Sequence, residues 1–164
     1  MPRKKLHYKE GVWFAVPLRS GGFAIGLVAR MDGKGSVIGY FFGPSHKEIP
    51  SSLDFTKGLT PDDAIFIAHF GDLGLLKGTW KVLGEREPWI REKWPLPAFV
   101  RTDVISGKHR KVLYFEDNLL KEVQLVPIVA ETAKRLPEDG IFGAGAVEIR
   151  LTKLLSMEKP LNPP

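Results

Sequence analysis

The sequence contains no cysteine and only four histidines, and this narrows the chemistry available to the chain. Without cysteine there is no disulfide, no thiolate nucleophile and no cysteine-based zinc site. No two histidines have the spacing at which metal ligands share one strand or helix; the four are His7, His46, His69 and His109. We therefore predict neither a metal site nor a bound cofactor.

Long apolar runs are also absent, and no segment approaches the roughly 18 consecutive apolar residues of a membrane-spanning helix. The first residues are basic, and the apolar stretch of a secretory signal peptide does not follow them. We therefore expect a cytoplasmic protein. The 164 residues are 43% apolar and 26% charged, which is typical of one globular domain. We predict a basic N-terminal tail over 1–10, a single domain over 11–155 and a proline-rich tail over 156–164.

The net charge of +5 raises the possibility of nucleic-acid binding. Three of the positive charges lie together at Arg3, Lys4 and Lys5, whereas acidic and basic residues alternate over 85–87 and 91–93. A nucleic-acid-binding face usually clusters its basic residues with aromatic residues between them. A solvated basic tail explains the charge better, and a basic nucleic-acid-binding domain is kept as an alternative.

The first half of the domain has the pattern of a β-meander. Apolar segments rich in β-branched and aromatic residues lie at 11–18, 23–30 and 36–42, and glycine-containing turns separate them. Such short turns join neighbouring antiparallel strands. Because both faces of these strands are apolar, we expect a curled sheet or a small barrel that is covered on both sides.

The rest of the chain predicts a mostly β, α+β fold with one or two short helices. Residues 129–136 have helical character, and Pro137 ends them. Residues 146–155 fit a strand better than a helix, because Val147, Ile149 and Leu151 alternate with polar residues. Further strands are expected at 64–70, 79–83, 99–102, 110–115 and 122–126.

Catalytic motifs are scarce. No serine lies in a Gly-x-Ser-x-Gly elbow, and the glycines of 140–146 lack the strand and helix that a dinucleotide-binding loop needs. The strongest catalytic candidate is His69, at the end of an apolar strand, with Asp72 just beyond it. A base and its orienting carboxylate could form there. A strand-end histidine with one satisfied hydrogen bond explains the pattern better.

The segment 85–98 fits neither a central strand nor a helix, since it combines three prolines and two tryptophans with several charges. We interpret it as an ordered surface loop anchored by its aromatic residues. Tryptophan and arginine are enriched among the residues that dominate binding energy. The residues that we predict to bind a partner are Arg86, Trp89, Arg91 and Trp94. The other two tryptophans, Trp13 and Trp80, are predicted to lie in the core.

Three groups of segments, in order, resemble the immunity protein 26 family. The first comprises Gly11–Leu18 and Gly22–Val28. The second comprises Gly78–Gly84 and Trp94–Phe99, and the third contains Leu136–Gly140, Gly143 and Ala146–Leu151. The resemblance implies an immunity protein encoded beside the gene of a secreted bacterial toxin, which binds the toxin domain and protects the producing cell. Some proteins that carry this family label are described as small phosphotriesterases, so an organophosphate triester hydrolase is the enzymatic alternative.

The expected mechanism is stoichiometric occlusion in a polymorphic-toxin system. A rigid β-scaffold would present loops to the toxin and bury roughly 1,200–2,000 Å² of surface. An inhibitor that imitates nucleic acid should be acidic, whereas this chain is basic. We therefore expect the contacted toxin surface to be acidic, with charge steering the encounter.

Overall fold

Nine strands and three helices make up the structure, a computed structural model that describes residues 6–156. The strands are β1 (Val12–Pro17), β2 (Phe23–Met31), β3 (Ser36–His46), β4 (Phe66–Gly71), β5 (Lys81–Glu85), β6 (Phe99–Thr102), β7 (His109–Phe115), β8 (Asn118–Ile128) and β9 (Ile141–Phe142). The helices are α1 (Leu73–Lys77), α2 (Ala130–Ala133) and α3 (Ala144–Ser156). Single 3-10 turns lie at Asp54–Thr56, Pro61–Asp63 and Arg91–Lys93.

The strands form two sheets. The larger has the order β5-β1-β2-β3-β4-β9, in which only the β4–β9 pair is parallel. The smaller is an antiparallel sheet in the order β6-β7-β8. The predicted meander is confirmed, because β1, β2 and β3 pair in sequence across glycine-containing turns. The expected barrel is not formed: β5 and β9 end the large sheet without pairing to each other.

The two faces of the large sheet are covered differently. One face carries Phe14, Phe41 and Phe70, and helices α1 and α3 pack on it through Leu75, Val147 and Leu151. The Phe14 ring stacks on Trp80, with the ring planes 3° apart. The opposite face is covered by the loops before β4 and after β5, and, next to Ile38, by the small sheet. Both faces of the meander are therefore buried, as its two-sided apolar pattern predicted.

The strand predicted at 146–155 is wrong, because these residues belong to α3. Val147 and Leu151, four residues apart, are buried together, while Ile149 is 57% exposed on the other side of the helix. Residues at positions i and i+4 share one helix face. The helix is also fixed from the sheet side: the Trp80 indole donates a 2.8 Å hydrogen bond to Glu148 Oε2.

The predicted N-terminal tail is described only from residue 6, and residues 1–5 and 157–164 lie outside the described residues. Within 6–10, Tyr8 is buried and its hydroxyl donates a 2.7 Å hydrogen bond to Asp72 Oδ2. This part of the predicted tail therefore packs against the domain. None of the helices within residues 6–156 is both long enough and apolar enough to cross a membrane.

Candidate partner-binding site

A pocket of about 560 Å³ opens on the loop-covered face of the large sheet. Its floor reaches Trp13 of β1, and two loops form its walls. Three indoles, two prolines and two aliphatic side chains make most of the lining apolar, and Arg86, Glu87 and Lys93 add charge. The lining residues are Trp13, Thr56, Gly58, Leu59, Thr60, Pro61, Arg86, Glu87, Pro88, Trp89, Ile90, Lys93 and Trp94. A concave apolar site with few polar groups is typical of a binding site.

Residues 86–94, which we call the tryptophan loop, form one wall, and the Glu10 carboxylate contacts two of their side chains. Glu10 Oε1 accepts a 3.3 Å hydrogen bond from the Trp89 indole and lies 2.7 Å from Arg91 Nε. Behind Trp89, Gly11 has a φ of +93°, and a Cβ there would lie 2.9 Å from the indole ring. The close approach of backbone and ring therefore requires glycine at this position.

The far end of the loop is tied to the sheet by two buried side chains. Arg30 Nη1 donates to the carbonyl oxygen of Trp94 at 2.9 Å, and the Tyr40 hydroxyl donates to that of Pro95 at 2.6 Å. Burial raises the pKa of Tyr40 to about 12, so its hydroxyl stays protonated as a donor at neutral pH. Arg30 Nε also bonds to Glu116, which brings the turn between β7 and β8 into the same network.

The opposite wall was not identified from the sequence as part of a site. It is built around the Pro61–Asp63 turn, where the backbone N–H of Thr60 donates to Asp63 Oδ2 at 2.7 Å. The Thr60-Pro61-Asp62-Asp63 pattern does signal a helix start. No local signal shows that this turn faces the tryptophan loop, because the two are some thirty residues apart in the chain.

The structure brings the four predicted partner-binding residues into one region but gives them different surroundings. Arg86 is exposed, and Trp89 is half-buried on the pocket wall. Trp94 is only 9% exposed and packs edge-on against Trp13, Tyr40 and Phe42. Arg91 is engaged by Glu10 and lies within 4 Å of Glu116 and Asp117. Trp94 and Arg91 therefore hold the loop in place, whereas Arg86 and Trp89 can be reached from solvent.

The structure does not join His69 and Asp72 into the pair that the hydrolase hypothesis needs. His69 is 1% exposed, packs beside Tyr114 and Phe99, and has no hydrogen-bond partner for either ring nitrogen. Asp72 instead accepts the hydroxyl of Tyr8. Burial lowers the pKa of His69, and Asp139 and Asp32 offset part of that effect. The imidazole of His69 is therefore buried between the two sheets, apart from Asp72, and the single hydrogen bond expected for it is not formed.

Near His69, a buried carboxylate organises the small sheet. Asp139 accepts hydrogen bonds from the Tyr114 hydroxyl and from Arg101 Nε, the latter at 2.9 Å, and Arg101 also pairs with Glu122 at 2.5 Å. These bonds join β6, β7 and β8 to the segment that follows α2. Within residues 6–156, no three histidine, aspartate or glutamate side chains are grouped so that they could hold a metal ion.

The comparison with protein families decides where the chain belongs. The family model of immunity protein 26 matches residues 9–111, which is more than half of the chain. The chain belongs to the immunity protein 26 family. No curated protein and no solved structure gave a significant match.

The match to immunity protein 26 covers both walls of the pocket. It begins just before β1 and ends within β7, so it contains the meander and the tryptophan loop. Helix α3 and strand β8 lie beyond the matched residues. The third group of resembling segments, over 136–151, also lies beyond them. The matched residues therefore contain strands β1 to β6 with the loops on the pocket face of the large sheet, and they exclude β9.

Proposed function

We propose that this chain is an immunity protein of a polymorphic-toxin system, which binds a cognate bacterial toxin domain in the cytoplasm and neutralises it by stoichiometric occlusion. Membership of the immunity protein 26 family supports the class. The observation that carries the binding site is the pocket between the tryptophan loop and the Pro61–Asp63 turn. Its walls are fixed by hydrogen bonds before any partner arrives, which reduces the entropy cost of association.

The partner residues suited to this pocket are a large apolar side chain with a carboxylate beside it. Trp89 and Ile90 offer an accessible apolar surface for the apolar side chain, and the mostly buried rings of Trp13 and Trp94 lie beneath it. Arg86 and Lys93 are exposed at the pocket and form no ion pair within the described residues, so both can bind the carboxylate of the partner. The basic charge of the whole chain favours an acidic toxin surface in the same way.

The experiment uses the purified toxin domain encoded beside the gene of this chain. Titration calorimetry should give a molar ratio near one, and inhibition of the toxin should be complete at that ratio. The double variant Arg86→Glu/Lys93→Glu should slow association about tenfold at low salt, because it reverses the charges that steer the encounter. The matched control is Lys77→Glu/Lys153→Glu, which reverses two exposed charges on the helix-covered face.

Two results would contradict the proposal. Absence of binding between the wild-type chain and this toxin domain would remove the immunity function itself. Equal slowing by the control and the pocket variant would show that net charge, rather than the pocket, governs the encounter. Turnover of an organophosphate triester that His69→Leu abolishes would instead support the hydrolase alternative.

A further inference from the structure

The turn between β6 and β7 is ordered by its own hydrogen bonds. Asp103 Oδ1 accepts the backbone N–H groups of Ile105 at 2.8 Å and Ser106 at 2.9 Å. The backbone N–H of Asp103 donates to Lys108 O at 2.9 Å, and that of Gly107 donates to Asp103 O at 2.8 Å. The backbone donors lower the pKa of Asp103, so its carboxylate is charged and bound in place at neutral pH.

This ordered turn displays two apolar side chains almost completely to solvent. Val104 is 97% exposed and Ile105 is 98% exposed. Turns of this kind usually carry glycine, asparagine, aspartate or serine, and the hydrogen bonds above need no apolar residue at either position. Both side chains are β-branched and restricted at χ1, so little conformational freedom is lost when they are buried against a partner.

The surroundings of the two side chains are apolar and basic. Val129 is 69% exposed and directly follows Ile128, which pairs with His109 at the base of the turn. Lys108 and Arg110 are exposed, and neither forms an ion pair within residues 6–156. The one acidic residue of the turn, Asp103, has its carboxylate directed at backbone donors. A complementary surface therefore has an apolar pocket with carboxylates at its rim.

We propose that Val104 and Ile105 form a second toxin-binding element, an anchor that inserts into an apolar, acid-rimmed pocket of the toxin domain. The identity of the partner rests on the proposed function, whereas the anchor itself rests on the geometry of this turn. In this contact the anchor inserts side chains into the toxin domain, whereas the tryptophan-loop pocket accepts a side chain from it. Energetically dominant contacts of this kind lie in well-packed, desolvated pockets.

The test compares variants in their affinity for the toxin domain encoded beside the gene. Val104→Ser/Ile105→Ser should weaken binding about 30-fold or more, as the loss of a dominant anchor does. Its circular dichroism and melting temperature should match those of the wild-type chain, because neither side chain packs within the domain. Leu73→Ser/Ile149→Ser, which removes two exposed apolar side chains from α1 and α3, should leave affinity unchanged. Lys108→Glu/Arg110→Glu should slow association.

Three outcomes would overturn the inference. Wild-type affinity of Val104→Ser/Ile105→Ser would remove the anchor while leaving the immunity function intact. Absence of toxin binding by the wild-type chain would remove both. Sedimentation velocity of the free chain tests whether the anchor instead contacts a second copy of this chain. A wild-type dimer that becomes a monomer in Val104→Ser/Ile105→Ser, with toxin affinity unchanged, would show that it does.

Discussion

Arg30 on the large sheet donates a hydrogen bond of 2.9 Å to the backbone carbonyl of Trp94 in the tryptophan loop, 64 residues later in the chain. Its guanidinium also donates to Ala29 O at 2.6 Å and bonds to Glu116. A buried arginine is stable only when such partners surround it. One side chain therefore joins the sheet, the pocket wall and the turn between β7 and β8.

Replacing Arg30 by methionine should lower the free energy of unfolding by about 2–4 kcal/mol. The substitution keeps an unbranched apolar stem but leaves Glu116 and two backbone carbonyls without their charged donor. Urea denaturation at pH 7 measures the change. Arg135→Met, at an exposed arginine that forms no ion pair within the described residues, is the control and should stay within about 0.5 kcal/mol. A similarly small change at Arg30 would show that the network does not stabilise the domain.

Trp94→Ala and Arg86→Ala should separate the two kinds of residue in the tryptophan loop. Trp94 is buried among three aromatic rings, so its removal should leave a cavity and cost about 3–5 kcal/mol. Arg86 is exposed, and its replacement should change stability by less than about 0.5 kcal/mol. Thermal unfolding of both variants provides the comparison. Equal melting temperatures would refute a structural role for Trp94.

Replacing His69 by leucine should stabilise the protein at pH 7.5. Both ring nitrogens of His69 are buried without a hydrogen-bond partner, and an unsatisfied buried polar group costs about 1–3 kcal/mol. Leucine has a similar volume and no polar atoms. We expect the free energy of unfolding to rise by about 1 kcal/mol in urea denaturation. His109→Leu, at a histidine whose Nδ1 bonds to the Thr102 hydroxyl, is the control and should not show this gain.

His69→Leu should lose less stability than the wild-type chain as the pH falls. Burial lowers the pKa of His69 in the folded protein below its unfolded value of about 6.5, so the unfolded chain binds the proton first as the pH falls. Wild-type stability should therefore be complete above pH 6.5 and decline below it, by up to about 1.4 kcal/mol per pH unit. The stability difference between His69→Leu and wild type should widen from pH 7.5 to pH 5. Partial burial lowers the pKa of His46 as well, but His46 is present in both proteins. A constant difference across this range would show that His69 does not titrate differently on folding.

Glycine substitutions in two strands should have opposite effects. A Cβ at Gly26 would lie 2.4 Å from Cζ of Phe14 in the core, so Gly26→Ala should cost about 1–3 kcal/mol through overpacking. At Gly71 a Cβ would meet nothing within 4 Å, and φ is not positive. Gly71→Ala should therefore be neutral or raise stability by up to about 1 kcal/mol, because it restricts the unfolded chain. Chemical denaturation of the pair checks both signs, and equal effects would contradict the contact at Gly26.

Much of the fold could be predicted from local pattern because the meander is local. Strands β1 to β3 are joined by turns of a few residues, and glycine marks each turn. Helix α3 was mispredicted because Val147, Ile149 and Leu151 satisfy strand alternation, whereas only Val147 and Leu151 of these three share a helix face. Only packing against the large sheet, which buries Val147 and Leu151, distinguishes a helix from a strand here. That contact joins residues far apart in the sequence, so no local pattern shows it.

The candidate site was predicted in part. The composition of the tryptophan loop indicated an ordered surface segment, and the structure bears this out. Composition could not show which of its residues hold the loop in place and which are exposed. Trp94 and Arg91 hold the loop through contacts with Trp13, Glu10 and Glu116, which lie far away in sequence. The second pocket wall and the proposed Val104–Ile105 anchor could not be predicted either, because the first depends on proximity and the second on exposure in the folded chain.

The Asp103 turn keeps its shape without using the side chains at positions 104 and 105. No residue other than glycine has a positive φ within residues 6–156, so both positions accept any ordinary L-residue. Substitution at these two positions can therefore change the exposed surface of the turn on an unchanged backbone. For the anchor proposed above, this means that the choice of partner can change by point substitution alone, without a compensating change in the core.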